Sequence, residues 1–554
     1  MKTIFFALLV TLSTIFIETD AAVTLTESEV PWKTFSHTVN SDNSLLNDTF
    51  STDIVTHTYK SLVLENEYLK VTLVPGYGGR IISLIYKPTG HEQLYQNPVG
   101  TPYGPDWDAF FYDWLMVWGG IFPTFPEPEH GKMWCLPWDY EITVTTPDTI
   151  AVTMSITDDI TFTPPGTRFK YGTTGITCRF TVTLAAGASV LKTSVSLENA
   201  KNTAVSCEYW TNVGVAPGSQ PGAPRCDDQT EIVGPVSKVK IGSDWPEIRA
   251  VEQLESEEIY RFDKLRWYKN WADDGIAYAW PVEGNFWGAL NHGNNEAILR
   301  ISENVKTPGL KLWGFGYNRS RSINPQTSTD YHRPFIEMWA GASKEFFTPA
   351  EFPANSTVQF DEYYTPTAGL TAFTHASPDA VVDLTTDKSG YNGTSDQNVE
   401  IHCNYIVTHP ADEVSVYLLF KGGDFTVPVY DTTRTHIGNG PFSLQKSVPV
   451  MDLCSTINRL MFELRTKSAT LMSAEVPVSI ANAGTCATSM QPESRTHHPL
   501  FRADAAERSP KFYAINGTCL GSAADRRTVA KIKSGVILSV DNQGRCARVV
   551  RVRQ

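Results

Sequence analysis

The chain has 554 residues, of which 41% are apolar and 19% charged, and carries a formal net charge of −14. That length holds two or three domains with full cores, and the composition is too apolar for wholesale disorder. The acid excess speaks against a nucleic-acid-binding body.

Residues 1–21 begin with Met1-Lys2 and continue as an apolar run to Ile17, with small residues Ala21 and Ala22 following. They read as a signal peptide; an uncleaved anchor is the alternative, but the run is short for a spanning helix. No later stretch is long and apolar enough to cross a bilayer, so a secreted, extracellular chain without a membrane span is expected. Asn-x-Ser/Thr triplets at Asn47, Asn318, Asn355, Asn392 and Asn516 agree with export and would carry N-glycans in a eukaryotic secretory pathway. From residue 22 to about 368 short β-branched or aromatic runs alternate with Pro/Gly/Asn/Asp turns. Lys70–Val74 alternates like a half-buried strand, Pro75–Gly79 makes a turn, and Arg80–Tyr86 is the returning strand. Ala151–Thr163, Ile176–Asn199 and Leu299–Asn318 repeat the pattern, with one short helix expected over Val251–Asp263. Further on, Glu337 is a lone carboxylate inside an aromatic and apolar strand formed by Phe335, Ile336, Met338 and Trp339.

All 14 tryptophans fall between Trp32 and Trp339, which places a domain boundary after about residue 368. Residues 369–396, rich in Asp, Thr, Ser and Gly, read as a linker. Strand-like runs at sandwich spacing then make 397–485 a smaller β-sandwich. The C-terminal segment, 486–554, is basic: from Phe501 onward it has 11 Lys+Arg against 4 Asp+Glu. It shows strand signals at Gly535–Val540 and Cys546–Val552 and reads as a small solvated module, or as a contact for polyanions. The nine cysteines form no CxxC pair and no zinc spacing. In an oxidising compartment several disulfide pairs are expected, and the odd total leaves at least one cysteine out.

The opening stretch Glu65–His91 and the closing stretch Tyr331–Pro366 together resemble the first and last strands of the galactose-mutarotase-like (aldose-1-epimerase-like) β-supersandwich. The resemblance covers about residues 60–366. It implies an all-β chain: a large β-supersandwich (22–368), then the smaller β-sandwich and the short C-terminal segment. Trp118-Gly119-Gly120 and the residues after it resemble the loop in which paired glycines precede a sugar-facing histidine, and the matching residue is His130. Glu208–Gly218 resembles the strand that in epimerases ends in an Asn-His pair supplying an acid. Here it reads Thr211-Asn212-Val213, without the histidine, which puts simple aldose epimerisation in doubt.

What the resemblance implies for the site is a base at Glu337, a sugar-facing partner at His130, and Arg80 bordering the cleft. Trp118, Trp134, Trp138, Trp210 and Asn212 are candidate substrate-binding residues, the rings stacking on pyranose faces. Read from the residues alone, each has a plainer alternative: Glu337 a rim carboxylate, His130 a solvated loop histidine, Arg80 a salt bridge that pins the hairpin, the tryptophans core. His332 lies at odd spacing from Glu337 and so on the opposite strand face. Hydrolysis of a glycosidic bond needs two facing carboxylates, with Glu127, Glu129 or Asp139 as partners to Glu337. A uronate lyase would draw on His130, Tyr331 and Arg333. Asp106, Asp108 and Asp113, interleaved with Trp107 and Trp114, fit no calcium loop. There is no P-loop, no GxGxxG after a strand, no GxSxG elbow and no HExxH, so no cofactor or metal is expected. The expected function is a secreted carbohydrate-active protein that binds a mono-, oligo- or polysaccharide, with acid/base catalysis at a sugar ring or glycosidic bond if it turns over. The alternative is a non-catalytic glycan-binding or adhesion protein.

Overall fold

A computed structural model describes residues 22–36, 38–39, 45–46, 53–99, 118–127, 130–134, 136–160, 172–317, 334–409, 413–434 and 440–483, together with four strands beyond residue 510. The signal-like leader, the Asp106–Trp114 cluster, Glu129 and the Tyr331–Arg333 run lie outside these residues.

Alternation of apolar and polar residues produces the strands, and burial follows it. In Leu191–Asn199 every second residue is buried, whereas Ile336–Gly341 is buried at all positions because both of its faces are covered. Six strands frame the site: β1 Arg80–Tyr86, β2 Ile121–Thr124, β3 Trp210–Ser219, β4 Gly275–Ala279, β5 Gly309–Gly314 and β6 Ile336–Gly341. Among the described residues they belong to a 13-stranded sheet. From one edge it runs Thr24–Phe35, Ile54–Glu65, Leu69–Val74, β1, His91–Leu94, β3, β6, β5, β4, then short strands between Lys238 and Arg261, with β2 pairing with β3 and β1. An 8-stranded sheet packs against it, led by Thr230–Val233, Phe286–Asn291, Glu296–Ile301 and Ser356–Ala368. Leu73, Ile81, Val213 and Met338 from the first sheet meet Val152, Phe180, Val195 and Tyr364 from the second, forming one continuous core. The expected all-β class and the opening hairpin are as read from the sequence, the turn closing between Val74 and Arg80.

Residues 375–477 form a second sandwich of two 4-stranded sheets around Leu384, Ile401, Val416, Leu418 and Phe462. The stretch 369–396 is not a linker: it contributes strands His375–Ser377, Ala380–Thr386 and Gly390–Asn392. Its polar composition misleads because Ala380, Val382 and Leu384 alternate into the core between outward-facing Val381, Asp383 and Thr385. Val381 and Ile406 in turn pack with Phe286, Leu290, Leu299 and Ile301 on the outer face of the 8-stranded sheet, so the two sandwiches share an apolar seam.

The helix expected over Val251–Asp263 is instead a hairpin, Leu254–Ser256 with Ile259–Arg261, preceded by a one-turn helix at Pro246–Arg249. Its apolar residues are too sparse for a helical stripe, and Ile259–Arg261 pairs with Lys238–Lys240. The expectation that several cysteines pair fails for four of them: Cys178, Cys207, Cys226 and Cys403 are buried free thiols. They fill apolar positions in the two cores. Cys454 is a half-cystine whose partner lies outside the described residues. The C-terminal unit, 487–554, has a 4-stranded sheet in the order Cys519–Ser522, Lys511–Ala514, Gly535–Val540, Cys546–Val552.

Candidate functional site

Strand alternation sorts the predicted residues between two faces of the 13-stranded sheet. On β6, Ile336, Met338 and Ala340 enter the inter-sheet core. Glu337 and Trp339 must therefore project from the outer face. On β3, Val213 and Val215 are core, which puts Trp210 and Asn212 on that same outer face. The register then fixes the neighbours. Asn212 lies opposite Trp339 of β6 on one side and Phe122 of β2 on the other, while Glu337 lies opposite Trp313 of β5.

Trp339 is the hub of this face. Its indole Nε1 donates to Glu337 Oε2 at 2.8 Å, and the carboxylate is only 4% exposed. The His130 ring stands edge-on to it at 5.1 Å, and Phe346 at 5.3 Å. Lys311 Nζ lies 4.2 Å from the Trp339 ring centroid and 4.7 Å from that of Phe346, with the lysine 3% exposed. Trp210 closes the other side, 5.0 Å from Phe346, its Nε1 donating to Glu208. Gly341 admits that ring, since a Cβ there would run into the Trp210 indole.

His130 reaches the hub from the loop after β2. Its φ of 63° is left-handed, a conformation that histidine tolerates better than most residues. The loop is held by Lys132, which pairs with buried Asp158 at 2.5 Å and donates to the carbonyls of Ile160 and Gly172. Trp134, from the same loop, packs 4.8 Å from His130.

Arg80 is 0% exposed and acts beneath the site. Its guanidinium donates to the carbonyls of Gly119 at 2.6 Å and Trp134 at 3.0 Å and lies 3.7 Å from the Phe122 ring centroid. It thereby ties together the glycine pair and the histidine loop. The pair itself is needed: Gly119 and Gly120 have φ of 92° and 87°, and a Cβ at either would strike the carbonyl of Tyr95 or Ile81.

Asn212 differs from its neighbours. It is 0% exposed, and neither Nδ2 nor Oδ1 has a hydrogen-bond partner among the described residues. An amide buried that way is unfavourable by about 1–3 kcal/mol.

The structure thus brings together Glu337, His130, Trp134, Trp210 and Asn212. Trp118 lies further along the same face, stacked on Trp32. Trp138 is elsewhere: its Nε1 donates to the Met133 carbonyl and its ring belongs to the inter-sheet core. Glu127 is buried and Asp139 exposed at the start of its strand. Sequence reasoning missed Lys311 and Phe346. The Leu310-Lys311-Leu312-Trp313 alternation carries the signal for which face Lys311 takes, the one opposite Leu310 and Leu312, but not for its being covered there.

Residues 44–163 match the model of a family described as "Domain of unknown function (DUF5107)". Among solved structures, the chain is similar to a TPR-domain containing protein from Parabacteroides distasonis, at 20% identity and a TM-score of 0.48; the match spans 62% of this chain and 55% of that one. It is also similar to a galactose mutarotase-like protein from Clostridium acetobutylicum, at 11% identity and a TM-score of 0.38, over 56% of this chain and 96% of that one. Galactose 1-epimerase from Lactobacillus acidophilus is similar at 10% identity and a TM-score of 0.38, over 63% of this chain and 100% of that one.

Proposed function

We propose that this protein binds a carbohydrate on the outer face of the 13-stranded sheet, with Glu337 and Asn212 as its polar contacts and Trp339, Trp210 and His130 as its walls. The observation that carries the reading is the Asn212 amide, buried with both polar atoms unpartnered among the described residues, one strand away from a buried carboxylate. A sugar ring supplies what the amide lacks: vicinal hydroxyls that both donate and accept, attached to apolar C–H faces that suit aromatic walls. The resemblance noted in the sequence points the same way.

On this reading Glu337 accepts a hydroxyl proton or hydrogen bond, and Asn212 bridges a neighbouring hydroxyl. Asn212 does not titrate. With no histidine on β3, the reading favours binding, or one-base chemistry at the ring, over acid–base epimerisation. The test is a panel of neutral and uronic-acid glycans, followed by calorimetry, reducing-end release, absorbance at 235 nm and anomer exchange. Glu337→Gln should abolish any turnover while changing affinity by less than about threefold. Absence of binding across the panel sinks the proposal.

The proposed setting is extracellular, on the leader-like residues 1–21. Asn355, exposed at a left-handed turn with φ of 48°, is the described triplet best placed to carry a glycan. Expression in a eukaryotic secretory host should give a chain starting near residue 22 with a glycan at Asn355. Retention of Met1 on an unmodified chain would refute the setting.

A further inference from the structure

Beyond the Glu337 centre, a cleft of about 450 Å³ opens beside strand Thr24–Phe35. Trp32 and Trp118 form one wall, and Lys33, Thr72, Ser83 and Gln96 supply polar groups. That volume is within the range of roughly 300–1,000 Å³ found for ligand sites. Three observations make it more than a surface dent. The Trp32 and Trp118 rings are stacked at 5.1 Å and 22°, a rigid aromatic surface. The Trp32 Nε1–H is buried without an acceptor among the described residues. A row of packed, buried rings also spans the distance between the cleft and the centre. Trp118 meets Tyr77 at 5.6 Å, Tyr77 meets Trp134 at 6.2 Å, Trp134 meets His130 at 4.8 Å, and His130 meets Trp339 at 5.1 Å.

We infer that this cleft is a second sugar subsite and that the ligand is an oligosaccharide or polysaccharide rather than a monosaccharide. The inference rests on the carbohydrate reading above and names the size class of its ligand. A single pyranose at Glu337 leaves the cleft empty, because the intervening rings extend well past the reach of one sugar. A chain of sugars occupies both, placing one unit by Asn212 and Glu337 and a distant unit against Trp32. There an acceptor hydroxyl satisfies the indole N–H, and Lys33 and Gln96 border the exit.

The experiment measures affinity against chain length by calorimetry on the full chain. The probes are glucose to cellohexaose, galactose to β-1,4-galactohexaose, and galacturonate to hexagalacturonate. In the series that binds, affinity should rise at least about tenfold between the monomer and the tetramer or longer. Thr72→Trp, which fills the cleft from a half-buried position, should remove that rise and leave monosaccharide affinity within about twofold. Lys33→Ala, at an exposed residue, should reduce it in the same direction and serves where Thr72→Trp does not fold. Monosaccharide binding that does not strengthen with length, or a rise that both variants retain, overturns the subsite alone. Failure of all three series to bind overturns both the subsite and the reading beneath it.

Discussion

Asn212→Leu separates a ligand-binding amide from a merely structural one. Leucine has nearly the shape of asparagine, so the substitution removes two polar atoms and little volume. Both atoms are fully buried between Phe122 and Trp339, and neither has a partner among the described residues. In the free protein the wild-type amide therefore carries an uncompensated desolvation penalty of about 1–3 kcal/mol. Asn212→Leu should raise the free energy of unfolding by that amount, read as a higher urea midpoint at an unchanged slope. Glycan affinity should fall in the same variant by about tenfold to a hundredfold, since one or two hydrogen bonds to the sugar are lost. Saturating glycan should then stabilise the wild type more than the variant. A loss of stability of 1 kcal/mol or more in Asn212→Leu would refute the reasoning, because it would mean the amide already has a partner in the free protein.

Lys132→Met leaves the Asp158 carboxylate buried without its cation and should lower stability by about 3–5 kcal/mol, most of it recovered in the double variant with Asp158→Asn; a loss below about 1 kcal/mol in urea contradicts the buried pair. Burial pushes the Cys403 thiol up to about 12 and raises those of Cys178, Cys207 and Cys226 as well. Because thiolate is the reactive form, mass spectrometry after maleimide treatment at pH 8 should find all four unmodified in the native protein and labelled after denaturation. Burial also depresses His375 and His409 in the smaller sandwich below their ordinary value of 6.5, with Glu475 and Asp379 opposing it. A lowered histidine binds fewer protons folded than unfolded, so its stability contribution is complete above the unfolded value and is lost as pH falls below about 6.5. Melting temperature should drop below that pH, and His375→Asn with His409→Asn should flatten the slope; an unchanged slope refutes it.

The opening hairpin was legible because turn and strand signals agreed: Pro75–Gly79 breaks the chain, and Leu69–Val74 and Arg80–Tyr86 pair around it. Glu337 was legible as an odd carboxylate in an apolar strand. Two of its neighbours, Lys311 and Phe346, were not. Lys311 sits in an alternating strand, where a lysine ordinarily signals water. Only the neighbouring strand, which sets Trp339 opposite it, and Phe346 from a following loop turn that position into a covered one. Trp138 failed in the opposite direction, since composition cannot say which side of a sheet a loop tryptophan will face. The supposed linker misled because its polar residues alternate with core residues rather than replacing them.

The seam where Phe286, Leu290, Leu299 and Ile301 meet Val381 and Ile406 makes the smaller sandwich a lid on the larger one's otherwise greasy back. Stopping the polypeptide near residue 369 would bare that row of side chains to water. The trimmed protein would self-associate through them, and any loss of sugar recognition in it would report insolubility instead of a missing contact. Dissection of this molecule is therefore better done by point substitution than with scissors.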